Sequence, residues 1–194
     1  MTKLYTIGHS THTIKEFIDI LQAYQITHVV DVRTIPKSHH VPWFNENELK
    51  ESLRKEKIGY THLSKLGGLR PTTHNSINMG WRNKSFRGFA DYMQTPEFYE
   101  GLKELNSLIK NNHKVVIMCA EAVPWRCHRS LIADAEVARH LVVLEIMSKN
   151  SVHLQNLTNF AVINRKKRPI QIYYPKINGK RLINPTLLRH FQSR

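Results

Sequence analysis

Lys114-Val115-Val116-Ile117-Met118-Cys119 is the stretch that decides the fold. An unbroken apolar run follows the lysine. It is too short for a buried helix and the right length for a buried strand. The chain then passes through Ala120-Glu121 and Pro124 to Arg126-Cys127-His128-Arg129. Beyond it, Ser130–His140 reads as a helix and Leu141–Met147 as another strand. Upstream, Lys3–Ile7 reads as a first strand ending in Gly8-His9-Ser10. Thr13 and Glu16 make a capping box, and Ile14, Phe17, Ile18, Leu21 and Tyr24 share one helical face. Thr27–Val32 is a β-branched strand that runs into Asp31-Val32-Arg33. Pro36 and Pro42 enforce a loop, and Asn45 with Glu48 opens a second helix that stops near Gly59. Tyr60–Leu63 is a short strand, and Phe86–Met93 is the ordered exit of a long loop. Thr95-Pro96 starts a helix striped by Phe98, Leu102, Leu105 and Ile109. Ile170–Tyr174 is the last strand. Strands alternate with helices, so the expected class is α/β, a three-layer domain with a mainly parallel sheet flanked by helices.

Composition bounds the classes that remain. The chain has 194 residues, 41% hydrophobic, with 29 Lys+Arg against 15 Asp+Glu and a net charge of +14. That length suits one domain with a small appendage. Two cysteines exclude a disulfide scaffold and fit a reducing cytosol. No apolar run approaches a membrane span, and Met1–His9 lacks a signal-peptide core. The charge is uneven. Residues 1–145 hold 19 Lys+Arg and all 15 acids, a net of +4, whereas residues 146–194 hold 10 Lys+Arg and no acid. Arg165-Lys166-Lys167-Arg168, Lys176, Lys180, Arg181, Arg189 and Arg194 are interleaved there with Tyr173, Tyr174 and Phe191. Such a segment can grip phosphates and stack on bases, or simply form a solvated surface. A second acid-free stretch, Lys57–Ala90, carries Arg70, Arg82 and Arg87 in a turn-rich loop.

Ligands of a parallel sheet bind at the carboxyl ends of its strands. Three strands here end in polar clusters: Gly8-His9-Ser10, Asp31-Val32-Arg33, and Cys119-Ala120-Glu121 continuing to Arg126-Cys127-His128-Arg129. A parallel sheet places all three on one edge. Cys119 is then a candidate nucleophile or a buried wall residue, and Glu121 a candidate general acid or base. His9 is a candidate for proton transfer, with Ser10 beside it. Asp31 and Arg33 read equally as site residues or as a buried pair that fixes the loops. Arg126, His128 and Arg129, with amides of the helix start, form a candidate anion site. Arg70, Arg82 and Arg87 are expected to close over it. The third cluster is loosely similar to the Cys-loop-Arg sites of rhodanese sulfurtransferases and protein tyrosine phosphatases. It differs from the phosphatases in having six residues between Cys119 and Arg126, where they have five. Cys119, Cys127, His128 and His9 are the available metal ligands. The C-x7-C spacing is not a usual zinc pattern, so no metal is assigned, and no cofactor is identified.

Taken together the segments resemble the domain-of-unknown-function 488 family. The matching pieces are Thr6–Ser10, Val30–Arg33 with Pro36 and Ser38, Phe44-Asn45, Leu66–Gly68, Trp81–Met93, and above all Met118–Asp134. His153 and Leu157-Thr158 fit the closing segment, where Asn159 replaces the family's usual proline. The resemblance implies a single α/β domain over residues 1–175, a basic C-terminal extension over residues 176–194 and a cytoplasmic setting. It supplies no reaction. The expected function is an enzyme-like site on an anionic, phosphate-bearing or nucleic-acid-related substrate, with no membrane partner. The rival is a non-catalytic nucleic-acid-binding protein. Deleting residues 176–194 should weaken the rival's binding more than Glu121→Ala does, and the enzyme reading expects the reverse.

Overall fold

A computed structural model describes residues 3–111 and 114–176. The elements are β1 (Lys3–Gly8), α1 (Ile14–Ala23), β2 (His28–Asp31), α2 (Glu46–Lys55), β3 (Gly59–His62), α3 (Lys84–Tyr92), α4 (Pro96–Asn111), β4 (Val115–Cys119), α5 (Arg129–Val137), β5 (Val142–Ser148), β6 (Ser151–Leu154), β7 (Val162–Asn164) and β8 (Gln171–Tyr173). Six strands form one sheet in the order β3-β2-β4-β1-β5-β6. Every pairing in it is parallel except β5 with β6. The class is therefore α/β, as the alternation of strands and helices requires. Apart from Lys176, the extension expected over residues 176–194 lies outside the described residues. No helix among the described residues is long and apolar enough to cross a membrane.

Alternation along β4 builds the layers. Val115, Ile117 and Cys119 enter one core with α3, α4 and α5, through Phe89, Phe98, Leu105 and Leu131. Val116 and Met118 enter the other with α1 and α2, through Phe17, Leu21, Leu49 and Leu53. A strand buried on both faces has no polar side to show, which is why it reads as an unbroken apolar run.

Local signals hold with informative exceptions. Thr13 and Glu16 cap α1 reciprocally. Asn45 occupies the N-cap of α2 without bonding its amides. Its Oδ1 accepts from the Ser38 amide at 2.8 Å instead, tying back the loop after β2. The exit of the long loop is α3, capped by Asn83 on the Ser85 and Phe86 amides. The strand β6 has no buried-run signature because it is an exposed edge strand. The pair β7–β8 forms a separate small sheet. It leads to Tyr174, which is fully buried and donates its phenol to Asp134 at 2.9 Å.

At the end of β1 the chain runs against the loop after β4. A Cβ on Gly8 would overlap the Glu121 carbonyl and press on the Ala122 backbone. Backbone cannot swing aside as a flexible side chain can. Gly8→Ala is expected to destabilise the fold by about 2–4 kcal/mol, read from the urea unfolding midpoint. A change below about 0.5 kcal/mol, the size of an ordinary surface substitution, would contradict this close approach.

Candidate functional site

The chain leaves β1 through α1 on one face and leaves β4 through α5 on the other. The two strands are neighbours, so their carboxyl ends mark the place where the connections part, and a crevice opens there. The ladder extends into it: His9 and Ser10 donate their amides to the Cys119 and Ala120 carbonyls, both at 2.9 Å. A cleft of about 460 Å³ lies at this edge. Its walls come from His9 after β1, Arg33 and Lys37 after β2, and Gly68 and Leu69 after β3. Cys119, Glu121, Arg126, Cys127 and His128 complete it.

Asp31 is fully buried behind Arg33. The Arg33 Nε–H reaches both carboxylate oxygens, at 2.9 and 3.0 Å, and its NH2 group donates to Asp31 Oδ2 and to the Phe44 carbonyl. The Tyr60 phenol donates to the same carboxylate at 2.9 Å. Burial, then the Asp31 charge, push that phenol well above its ordinary value. Arg33 NH1 turns the other way and donates to His9 Nε2 at 3.3 Å. A guanidinium only donates, so Nε2 is the acceptor and Nδ1–H donates to the Ser10 carbonyl at 2.9 Å. The neutral ring stacks on Phe44 at 4.1 Å between centroids. Burial, then the Arg33 charge, lower the His9 pKa to about 4.

Arg129 is fully buried behind the loop after β4. It donates to the Glu121 carbonyl and, at 3.0 Å, to the Ala122 carbonyl, with Glu145 3.8 Å away. The loop closes in a 3₁₀ turn over Pro124–Arg126. The Arg126 and Cys127 amides bond inside that turn, and the Ser130 and Leu131 amides bond back to Cys127 and His128. These four amides are consumed locally.

Cys119 and Cys127 are buried free thiols on either side of His128. His128 Nε2–H donates to the Val32 carbonyl at 2.9 Å, which leaves Nδ1 as the acceptor. Nδ1 lies 4.0 Å from the Cys119 sulfur and 3.8 Å from the Cys127 sulfur. A hydrogen bond from the Cys119 thiol, then the Arg129 charge and amide, lower the Cys127 pKa; the same thiol–thiol bond and burial raise that of Cys119.

Of the residues singled out from sequence, His9, Arg33, Cys119, Glu121, Arg126 and His128 line the cleft. Asp31 and Arg129 stand behind it as supports. Ser10 contributes backbone bonds. The three loop arginines are elsewhere. Arg70 bonds the Ser64 and Gly67 carbonyls and lies 3.7 Å over Tyr92, Arg87 points to Met79, and Arg82 is exposed. Lys37, Phe44, Tyr60 and Gly68 enter the site without having been chosen for it, and Cys127, singled out only as an available metal ligand, joins its wall. Tyr60 was hidden because its strand's neighbour is set by the crossover rather than by local sequence.

Two outcomes follow for stability. Asp31→Asn leaves the Arg33 guanidinium buried without its counter-charge and is expected to cost about 3–5 kcal/mol in chemical denaturation. His9 stays neutral when folded but takes up a proton when unfolded below pH 6.5. Its contribution is fully present above pH 6.5 and is lost as pH falls toward 4, by up to about 3 kcal/mol. Burial raises Asp134 to about 6 and Glu136 to about 7, and these groups act in the opposite sense as pH rises. The difference between wild type and His9→Gln isolates the histidine. That difference should shrink across this window on acidification, and a constant difference would contradict a buried neutral ring.

Residues 13–136 match the family described as Domain of unknown function DUF488. Comparison with curated proteins and with solved structures returns no match. The matched span is well over half of the chain and contains the Asp31–Arg33 pair, both cysteines and Arg129, so the chain belongs to the DUF488 family.

Proposed function

We propose that the cleft is an enzyme-like site that acts on an anionic substrate, phosphate-bearing or nucleic-acid-related. One observation carries this reading. Lys37 and Arg126, which bond to no carboxylate among the described residues, share a switch-point cleft with a carboxylate and a thiol–imidazole group. Arg33 NH1 adds a donor deeper in, aimed by Asp31. Ile35 and Leu69 are exposed apolar side chains in the same walls, and Trp125 is exposed beside Arg126. A substrate with an anionic end and an apolar or ring-bearing end suits that division.

The roles follow from what each group has free. Both His9 nitrogens are engaged, so His9 acts as a positioning residue for Arg33. Asp31 does the same from behind. Glu121 is the exposed carboxylate in the cleft and is the group available to accept or deliver a proton. Two free thiols fit a reducing, cytoplasmic setting.

Inorganic phosphate titrated into the full chain and followed by NMR tests the reading. Arg126→Ala and Lys37→Ala should each weaken phosphate binding about tenfold, the worth of one charge-assisted hydrogen bond. Replacing Lys180, Arg181 and Arg189 by Gln should leave it unchanged. The opposite ranking, with a single-stranded oligonucleotide binding through the tail and indifferent to the cleft substitutions, would establish the non-catalytic reading.

A further inference from the structure

We infer that Cys119, Cys127 and His128 form a three-ligand zinc site whose fourth coordination position opens into the cleft. The use of such a metal rests on the function proposed above; its binding does not depend on the anion contacts.

The first support is distance. The two sulfurs and His128 Nδ1 all lie within 4.8 Å of one another, and no other three His, Cys, Asp or Glu ligand atoms come so close among the described residues. Tetrahedral zinc, with Zn–S near 2.3 Å and Zn–N near 2.05 Å, separates sulfur from nitrogen by about 3.6 Å. The observed 3.8 and 4.0 Å are a few tenths of an ångström wider.

The second support is the orientation of the ring. A ligating histidine characteristically donates its other N–H to a backbone carbonyl or a carboxylate, which fixes the tautomer and aims the lone pair. His128 does this through Nε2–H to Val32, so the Nδ1 lone pair faces both sulfurs. The third is the space in front of the ring. Position 68 is glycine, and a Cβ there would stand 3.0 Å from Nδ1. The bare backbone leaves that side of the ring clear.

Donor chemistry selects the metal. Two sulfurs and an imidazole favour zinc over magnesium or calcium, which take oxygen ligands. Three protein ligands that all border a cleft match the open arrangement of zinc sites that do chemistry rather than the closed four-ligand structural kind. Binding replaces the two thiol protons, which pass to solvent, so the ion with its two thiolates is neutral overall. Arg129, buried behind Cys127, suits such a sulfur-bound site better than it would suit a bare cation.

Full-length protein, reduced and stripped with a chelator, is titrated with Co²⁺ and then with Zn²⁺. Saturation at one equivalent with sulfur-to-cobalt charge-transfer absorption, displaced by zinc, is the expected result. Cys127→Ser and His128→Ala should weaken cobalt binding by more than about a hundredfold, beyond the loss typical of an outer hydrogen-bond partner. Should those variants fail to fold, X-ray absorption of the zinc-loaded wild type decides: two sulfurs and light-atom scatterers support the site, and a shell without sulfur overturns it. Absorption that is unchanged in His128→Ala, or a reduced chain that takes up no metal while its two cysteines oxidise to a disulfide by intact mass, also overturns it. Phosphate binding by the metal-free chain is measured separately, so either reading can fail alone.

Discussion

A guanidinium with no exposed surface governs the working end of this molecule. Arg129 opens α5 and reaches back to the carbonyls of Glu121 and Ala122, two groups left unpaired by the end of β4. Burying them without donors would cost about 1–3 kcal/mol each. The same pair of residues presses against Gly8, so the clamp sets the loop's height over β1 as well as its course. Glu121, Arg126, Cys127 and His128 of the cleft wall all lie between β4 and α5, on the stretch this clamp holds. Glu145, 3.8 Å away and hydrogen-bonded by Thr6, supplies part of the compensating charge.

The second strand uses the same device in a different geometry. A buried ion pair seldom stabilises a fold more than apolar packing of equal volume does. What Asp31 does for Arg33 is fix its direction. Bonds to the carboxylate and to the Phe44 carbonyl consume one side of the guanidinium and leave NH1 facing His9 and the cleft. The histidine is held neutral by the same burial, so it accepts from the arginine rather than repelling it. The edge is thus built from outer groups that aim inner ones. That construction gives a site more rigidity than loops of this length would otherwise have.

Much of this was legible in the sequence, and for identifiable reasons. The unbroken run at Val115–Cys119 announced a strand covered on both faces, and the capping box at Thr13 lies where α1 begins. Three polar strand ends were expected on one edge because parallel strands must present their carboxyl ends together. What local patterns could not carry was the depth of each residue. Asp31 reads in sequence equally as a site residue or as half of a buried pair, and the structure has it buried behind Arg33; Arg129, read as part of an anion site, also stands behind the cleft, because its partners are set by how the loop after β4 folds. None of the three loop arginines lines the cleft. Arg70 is taken up by two carbonyls and the face of Tyr92, a destination set by how the long loop folds on α3. Exposed β6 and short β7 lack any buried-run signal.

The sulfurs show how ligand-type side chains that no short motif links come together at a switch point. Zinc motifs with short cysteine spacings describe ligands gathered within one knuckle or turn. Here the gathering is done by tertiary structure: β4 delivers Cys119, a proline-led turn returns Cys127, and the Val32 carbonyl just after β2 orients His128. Net charge, too, depends on where each group is placed. A total of +14 suggests a surface that binds any polyanion. Yet Arg33, Arg70, Arg129 and Arg139 spend their donors on carboxylates and carbonyls inside the fold. In the cleft, Arg126 and Lys37 have no such partner among the described residues, Arg33 NH1 faces His9, and Glu121 shares the lining, so placement rather than the total decides which charges the cleft presents.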